Sequence, residues 1–244
     1  MSEPAVLRPR VHGNVVRALA ERILRGDFQP GQTLPNEAAL QLEFGVSRTA
    51  LREAVRVLAA KGMLVSRPRV GTSVRERTAW NRLDAEVLAW SFAVAPDLAF
   101  VESLIEARRA IEPAAAAFAA ERATAEEIAR IATAYEGMAA ARLPDDLESC
   151  CAADVAFHVR ILEASHNVVF GQLSGTISAA LGNVFRLSTR LARSYTLTLA
   201  SHHDVLEAIR AHEAEAARLA MLTLLGTAAD DLAPLFAARP PPAT

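Results

Sequence analysis

Asp154, His158 and His202 are the residues of this chain whose types and spacing most directly suggest chemistry. Asp154 and His158 stand four positions apart, so on a helix they share one face with Phe157, Ile161 and Leu162. His202 shares a second face with Val205, Leu206 and Ile209. A third stripe, Val101, Leu104, Ile105, Arg108, Ile111 and Glu112, sets an arginine and a glutamate among apolar side chains. Ionisable groups on faces that must be buried are costly unless each meets a partner, a metal or a ligand. One carboxylate and two imidazoles are a suitable donor set for a divalent cation. An arginine fork matches a carboxylate in a bidentate manner. Taken singly, each feature has a blander reading: a histidine satisfied within a core, or Arg108 and Glu112 as a pair within one helix. The convergence of three such stripes points to a ligand site.

A second constellation lies near the N-terminus. Arg48, Arg52 and Arg56 recur every four residues, with Thr49 beside the first, while Leu51, Ala54, Val55 and Leu58 form a separate apolar stripe. Ser47 is placed to cap this helix, Arg48–Lys61, and Gly62 closes it. Asn36 is placed to cap a shorter helix, Glu37–Phe44, which Gly45 ends in a left-handed conformation. Two helices joined by a few residues around a glycine read as a helix-turn-helix. Met63–Ser66 and Thr72–Val74 then read as a hairpin, with Arg67 and Arg69 at its tip. A helix of this kind enters the major groove, where the planar fork of arginine matches two guanine acceptors.

The elements that must position these residues follow from periodicity and punctuation. A helix is expected from Asn14 to Leu24, ended by Gly26-Asp27, with a turn at Pro30-Gly31 and an extended Leu34-Pro35. Residues 79–96 read as a linker with one or two helical turns. Beyond it, six helices and no strand are expected. They start at Pro96-Asp97, Thr124, Pro144-Asp145, Asn167, Ser201 and Glu213, and the last runs to about Phe236 before the Pro-rich tail ARPPPAT. The fold expected is mainly α, an N-terminal winged helix-turn-helix followed by an all-α antiparallel bundle. Residues 8–78 are the DNA-binding domain and 97–236 the effector-binding and dimerisation domain.

Composition agrees with two globular domains: 244 residues, 52% apolar and 22% charged. The net charge of −2 conceals an asymmetry, since residues 1–78 carry 13 Lys and Arg against 7 Asp and Glu, and residues 79–244 carry 13 against 21. A basic first domain on an acidic second one suggests that only the first meets a polyanion. Cys150 and Cys151 are adjacent, which suits neither a disulfide framework nor zinc-site spacing, and reads as a reduced interior. The chain has no apolar run long enough for a membrane span and no secretory signal, so a cytoplasmic location is expected.

The stretch from Pro30 to Val74 resembles the GntR-type winged helix-turn-helix. Its landmarks are Pro30-Gly31, Leu34-Pro35-Asn36-Glu37, Gly45-Val46-Ser47-Arg48, Leu51-Arg52-Glu53-Ala54, Leu58, Gly62 and Gly71-Thr72. The resemblance implies DNA contacts from Asn36, Arg48, Thr49, Arg52, Arg69 and Gly71. Asn36 stands where the family often has serine, and caps equally well.

The second domain is similar to the FCD effector domain of the FadR-type subfamily. The similarity is carried by Arg108 with Glu112-Pro113, Asp154 with Phe157-His158, Ser165 with Asn167, and His202 with Leu206, Ala208 and Ile209. It implies a dimeric helical bundle and a metal held by one Asp and three His, here Asp154, His158 and His202. The fourth ligand would fall near position 224, which is Leu224. Arg108 matches the arginine used toward effector carboxylates, and Asn183 and Arg186 are further effector candidates. The connector Trp80–Trp90 and the following E-x-R-x-x-I-E-P-A resemble sugar-acid repressors of the galactonate-operon type, which makes a hexonate the favoured effector.

The expectation is thus a homodimeric repressor of operator DNA controlled by a small carboxylate. Two alternatives stand beside it. A member of the same family could respond to another organic acid or an acyl-CoA, although polar Asp154, His158 and His202 suit no acyl tunnel. A metal-dependent enzyme is the other, but no general base can be assigned beyond the three candidate ligands.

Overall fold

The structure is a computed structural model, and it describes residues 9–94, 96–142, 145–189 and 195–237. The chain divides into two compact units, Met1–Pro96 and Asp97–Thr244.

The first unit contains α1 (Pro9–Arg25), α2 (Glu37–Phe44), α3 (Arg48–Ala60), β1 (Leu64–Arg67), β2 (Gly71–Val74) and α4 (Ala85–Val94). The caps read from sequence form as hydrogen bonds. Asn36 Oδ1 accepts from Ala39 N at 2.9 Å, and Ser47 Oγ accepts from Ala50 N at 3.2 Å. Gly45 takes the left-handed conformation that ends α2, at φ +62°. The hairpin pairs Leu64 with Val74 and Arg67 with Gly71 in antiparallel register. The extended segment before α2 adds a third edge to it, with Leu34 N donating to Thr72 O at 2.8 Å and Val74 N to Gln32 O at 2.9 Å. Leu19, Ile23, Leu51, Leu58, Met63 and Leu64 fill the core of this unit.

Residues 79–94 form more than a tether. Trp80, Val87 and Trp90 are buried in that same core, so α4 continues through all ten of its residues. Lys61, at the C-terminal end of α3, clamps the segment. Its Nζ lies 2.7 and 2.8 Å from the two Asp84 carboxylate oxygens and 2.9 Å from Glu86. Gly62 follows at φ +77°, and a Cβ there would lie 2.4 Å from Ala79 O.

The second unit is built from helices alone among the described residues: α5 (Leu98–Arg122), α6 (Ala125–Ala140), α7 (Leu147–Ala164), α8 (Val168–Thr189), α9 (Tyr195–Arg210) and α10 (Ala214–Ala237). Asp97 caps α5, and Thr124 with Glu127 forms a full capping box on α6. Asn167 Oδ1 accepts from Val169 N at the start of α8. Ala115, Ala116, Ala119 and Ala120 are fully buried on α5, where their small side chains admit close helix approach. Phe157, Ile161, Leu162, Val205, Leu206, Ile209, Met221 and Leu225 pack around them. No helix of the described residues is long and apolar enough to cross a membrane.

Candidate functional site

The three polar stripes of the second unit meet in its interior. Arg108 and Glu112 come from α5, Asp154 and His158 from α7, and His202 from α9, and all five are buried. Each lies on its helix at the phase expected for an apolar face, which is why packing delivers them to one place. Phe157, wholly buried, stands edge-on to both imidazoles, with ring centroids 5.7 Å from His158 and 5.0 Å from His202.

The hydrogen bonds of His202 determine which of its nitrogens carries a proton. His202 Nδ1 lies 2.7 Å from the Thr198 carbonyl, which can only accept, so Nδ1 donates. His202 Nε2 is then left with its lone pair, 3.2 Å from Asp154 Oδ1 yet out of alignment for a hydrogen bond. His158 Nδ1 lies 2.6 Å from Glu112 Oε2, and its Nε2 faces Asp154 Oδ1 at 4.0 Å. One carboxylate oxygen therefore looks toward two ring nitrogens whose other nitrogens are already engaged. Ligand atoms of Asp154, His158 and His202 all lie within 4.8 Å of one another.

Arg108 Nε donates to Glu112 Oε1 at 2.6 Å. Its Nη2 is within hydrogen-bonding distance of Glu112 Oε2 at 3.4 Å and of the His158 ring nitrogens, Nδ1 at 3.5 Å and Nε2 at 3.4 Å. Burial pushes the Glu112 carboxyl upward, but the charge of Arg108 and the proximity of His158 outweigh it and hold it at about 2. Burial likewise raises Asp154, and the neighbouring histidines and Arg108 reverse that, leaving it below the usual carboxylate range. Two carboxylates, two imidazoles and one guanidinium are thus buried together.

These residues fit a divalent cation. The orphaned Nε2 of His202 and the converging carboxylate are what such an ion requires. Leu224, where a fourth protein ligand was sought, is buried in the apolar core. Asp154, His158 and His202 would hold the ion, leaving its other positions to water or an incoming oxygen. Asn183 and Arg186 lie on α8, and their side chains fall outside the described residues.

On the first unit, Arg48, Thr49 and Arg52 are exposed along α3. Glu37 of α2 accepts from Arg48 Nε and Arg52 Nε, each at 2.8 Å, while both arginine side chains stay exposed. Arg56 pairs instead with Glu53. Arg69 sits at the hairpin tip with φ +65°, next to exposed Val70 and Gly71. A cleft of about 650 Å³ between α3 and the hairpin is lined in part by Asn36, Glu37, Arg52, Arg56, Gly71 and Thr72.

Residues 12–74 match the family described as bacterial regulatory proteins, gntR family, and residues 103–227 match the FCD domain. The chain belongs to the GntR family of regulators. This GntR regulator is 36% identical over 214 residues to the galactonate operon transcriptional repressor of Escherichia coli (strain K12), covering 87% of this chain and 93% of that one. It is 30% identical over 220 residues to the Uxu operon transcriptional regulator of the same organism, covering 87% and 82%. The solved structure titled for Lar, which controls expression of the Listeria monocytogenes agr system, has the same fold. It gives a TM-score of 0.68 at 20% identity and covers 96% of this chain and 100% of that one. The GntR regulator is therefore a transcription factor with an FCD domain and not an enzyme.

Glu112 is the member of the buried cluster that sequence reasoning left out of the site. Its place on the stripe was legible, but its spacing from Arg108 suggested an ion pair within the helix, and nothing local pointed to His158. The Thr198 carbonyl that orients His202 carries no sequence signal at all.

Proposed function

We propose that this GntR regulator is a homodimeric repressor whose operator affinity falls when a small carboxylate, by preference a sugar acid such as a hexonate, enters the FCD domain. The observation that carries this reading is the buried cluster of Asp154, His158 and His202 beside Arg108, with the orphaned Nε2 of His202. A hydroxy acid offers oxygen donors for a cation held by the three side chains, and its carboxylate would share the Arg108 guanidinium with Glu112. When bound, a divalent cation supplies Lewis-acid positions for carboxylate and hydroxyl oxygens. Arg108, Asn183 and Arg186 complete the effector contacts. The galactonate name of one relative supports the sugar-acid class.

DNA binding falls to residues 8–78, through Arg48, Thr49 and Arg52 in the major groove and Arg69 and Gly71 on the wing, with Asn36 at the start of α2. Asn36 gives its Oδ1 to the helix cap, so its amide N–H groups are the part left for a phosphate. Residues 97–236 bind effector and dimerise, and two winged units meet the half-sites of a palindrome. A coupling of ~1–3 kcal/mol between effector and operator is enough for induction.

The test is a thermal-shift panel on the full-length protein, with hexonates, short hydroxy acids and acyl-CoAs, each with and without EDTA. A ligand confined to the native state adds about 2.7 kcal/mol at a hundredfold excess over Kd. A hexonate shift accompanied by release from operator DNA supports the reading. A panel in which no acid shifts the protein refutes the sugar-acid class.

A further inference from the structure

We infer that Glu112 is a positioning residue for the buried site: its carboxylate holds the Nδ1 proton of His158 and so turns the Nε2 lone pair toward Asp154 and His202. This rests on the reading of Asp154, His158 and His202 as a cation and effector site.

The geometry is specific. Glu112 meets two partners, its Oε1 accepting from Arg108 Nε at 2.6 Å and its Oε2 lying 2.6 Å from His158 Nδ1, with Arg108 Nη2 farther from Oε2 at 3.4 Å. The carboxylate is 1% exposed, so water does not compete for it. An ionised carboxylate can only accept, so the proton between Glu112 and His158 belongs to the ring. A neutral imidazole with Nδ1–H carries its lone pair on Nε2, and that atom faces Asp154. His202 reaches the same state through the Thr198 carbonyl. The two rings thus have their protons drawn outward by two different acceptors, one a side chain and one backbone. Only the side chain is open to selection by mutation.

Arg108 has a definite part in this arrangement. Its short bond is to Oε1, while at Oε2 the His158 nitrogen at 2.6 Å is closer than Arg108 Nη2 at 3.4 Å, and the same Nη2 lies 3.4 Å from His158 Nε2, where a donor suits a lone pair on that nitrogen. A carboxylate behind a ligating histidine orients the ring and raises its basicity, and its loss typically weakens metal binding by ~10–100-fold. Glutamine at 112 keeps the shape but presents one carbonyl oxygen and one amide, so the preference for one tautomer disappears.

The first readout needs no metal. Long-range nitrogen–proton NMR on histidine-labelled, chelator-treated full-length protein at pH 8 reports the protonated nitrogen of His158. The wild type is expected to show Nδ1–H with an unprotonated Nε2. Glu112→Gln is expected to lose that preference, and Arg108→Gln to retain it, which separates positioning from a general loss of the buried ion pair. Helical circular dichroism confirms that each variant is folded. The second readout is affinity for cobalt(II) measured against a chromophoric chelator, expected to fall ~10–100-fold in Glu112→Gln. A wild-type ring protonated on Nε2 or on both nitrogens, or an unchanged tautomer and cobalt affinity in Glu112→Gln, overturns the proposal. A wild type that has the Nδ1–H tautomer but binds no cobalt refutes the cation site while leaving the role of Glu112 in ring orientation intact.

Discussion

Gly62 joins the end of α3 to the segment that carries Trp80, and a single methyl group there should separate two kinds of glycine. Gly45→Ala and Gly62→Ala both place a side chain at positive φ, +62° and +77°. That alone costs about 1 kcal/mol. At Gly45 a Cβ meets nothing within 4 Å, so the cost should stop there. At Gly62 it would lie 2.4 Å from Ala79 O and 3.3 Å from Trp80 Cα, and both obstacles are backbone. Relief requires moving residues 79–81. These are held by Asn81 N donating to Lys61 O and by Trp80 Nε1 donating to Arg75 O, each at 2.9 Å. Overpacking of this kind adds ~1–3 kcal/mol, for a total of about 2–4 kcal/mol. Urea unfolding of the full-length protein can read this selectively. The only two tryptophans in the sequence, Trp80 and Trp90, both lie in the core of the first unit. The fluorescence midpoint should drop slightly for Gly45→Ala and by at least twice as much for Gly62→Ala, with operator binding weakened only in the latter. Equal midpoints would refute the claim that residues 79–90 are packed rigidly against the end of the recognition helix.

Four further outcomes are expected. Arg52→Ala should cost ~1–3 kcal/mol in operator binding and relax the choice of base, whereas Arg69→Ala should weaken all sequences alike and reduce the salt slope by about one; fluorescence anisotropy across a salt series distinguishes them. Asp154→Ala should abolish both the hexonate-induced thermal shift and cobalt binding, and a retained shift would place the effector elsewhere. Leu224→His should raise cobalt affinity at least ~10-fold if position 224 faces the three ligands, as four protein ligands close a tetrahedral site; an unchanged affinity would show that it does not. Glu127 is held at about 2, first by the Thr124 backbone N–H and then by His166. A carboxyl lowered on folding stabilises above its unfolded value, and that contribution is lost as pH falls from ordinary carboxylate values toward about 2. Glu127→Gln should therefore remove part of the acid sensitivity in that window, by an amount near the ~1 kcal/mol of a helix cap. Acid titration of helical circular dichroism for the two proteins measures it.

The sequence by itself determined what depends on near neighbours. Asn36 and Ser47 cap the helices they were read to cap, and Asp97, Thr124 and Asn167 cap helices they were read to open, because a cap needs only a side chain and the next turn of backbone. The stripes carrying Arg108, Asp154, His158 and His202 were legible for the same reason: a period of 3.6 residues places them on faces that must be buried. Packing alone decided how those faces meet. That Glu112 answers His158 across α5 and α7, that Thr198 rather than a side chain orients His202, and that Leu34 pairs with the wing all depend on the axial rotation and crossing of elements far apart in sequence. Residues 79–94 make the same point. Their sequence reads as a linker with one or two helical turns, and only the core around Trp80 and Trp90 shows that the winged unit buries them. Periodicity states that a face must be covered, and tertiary structure chooses the cover.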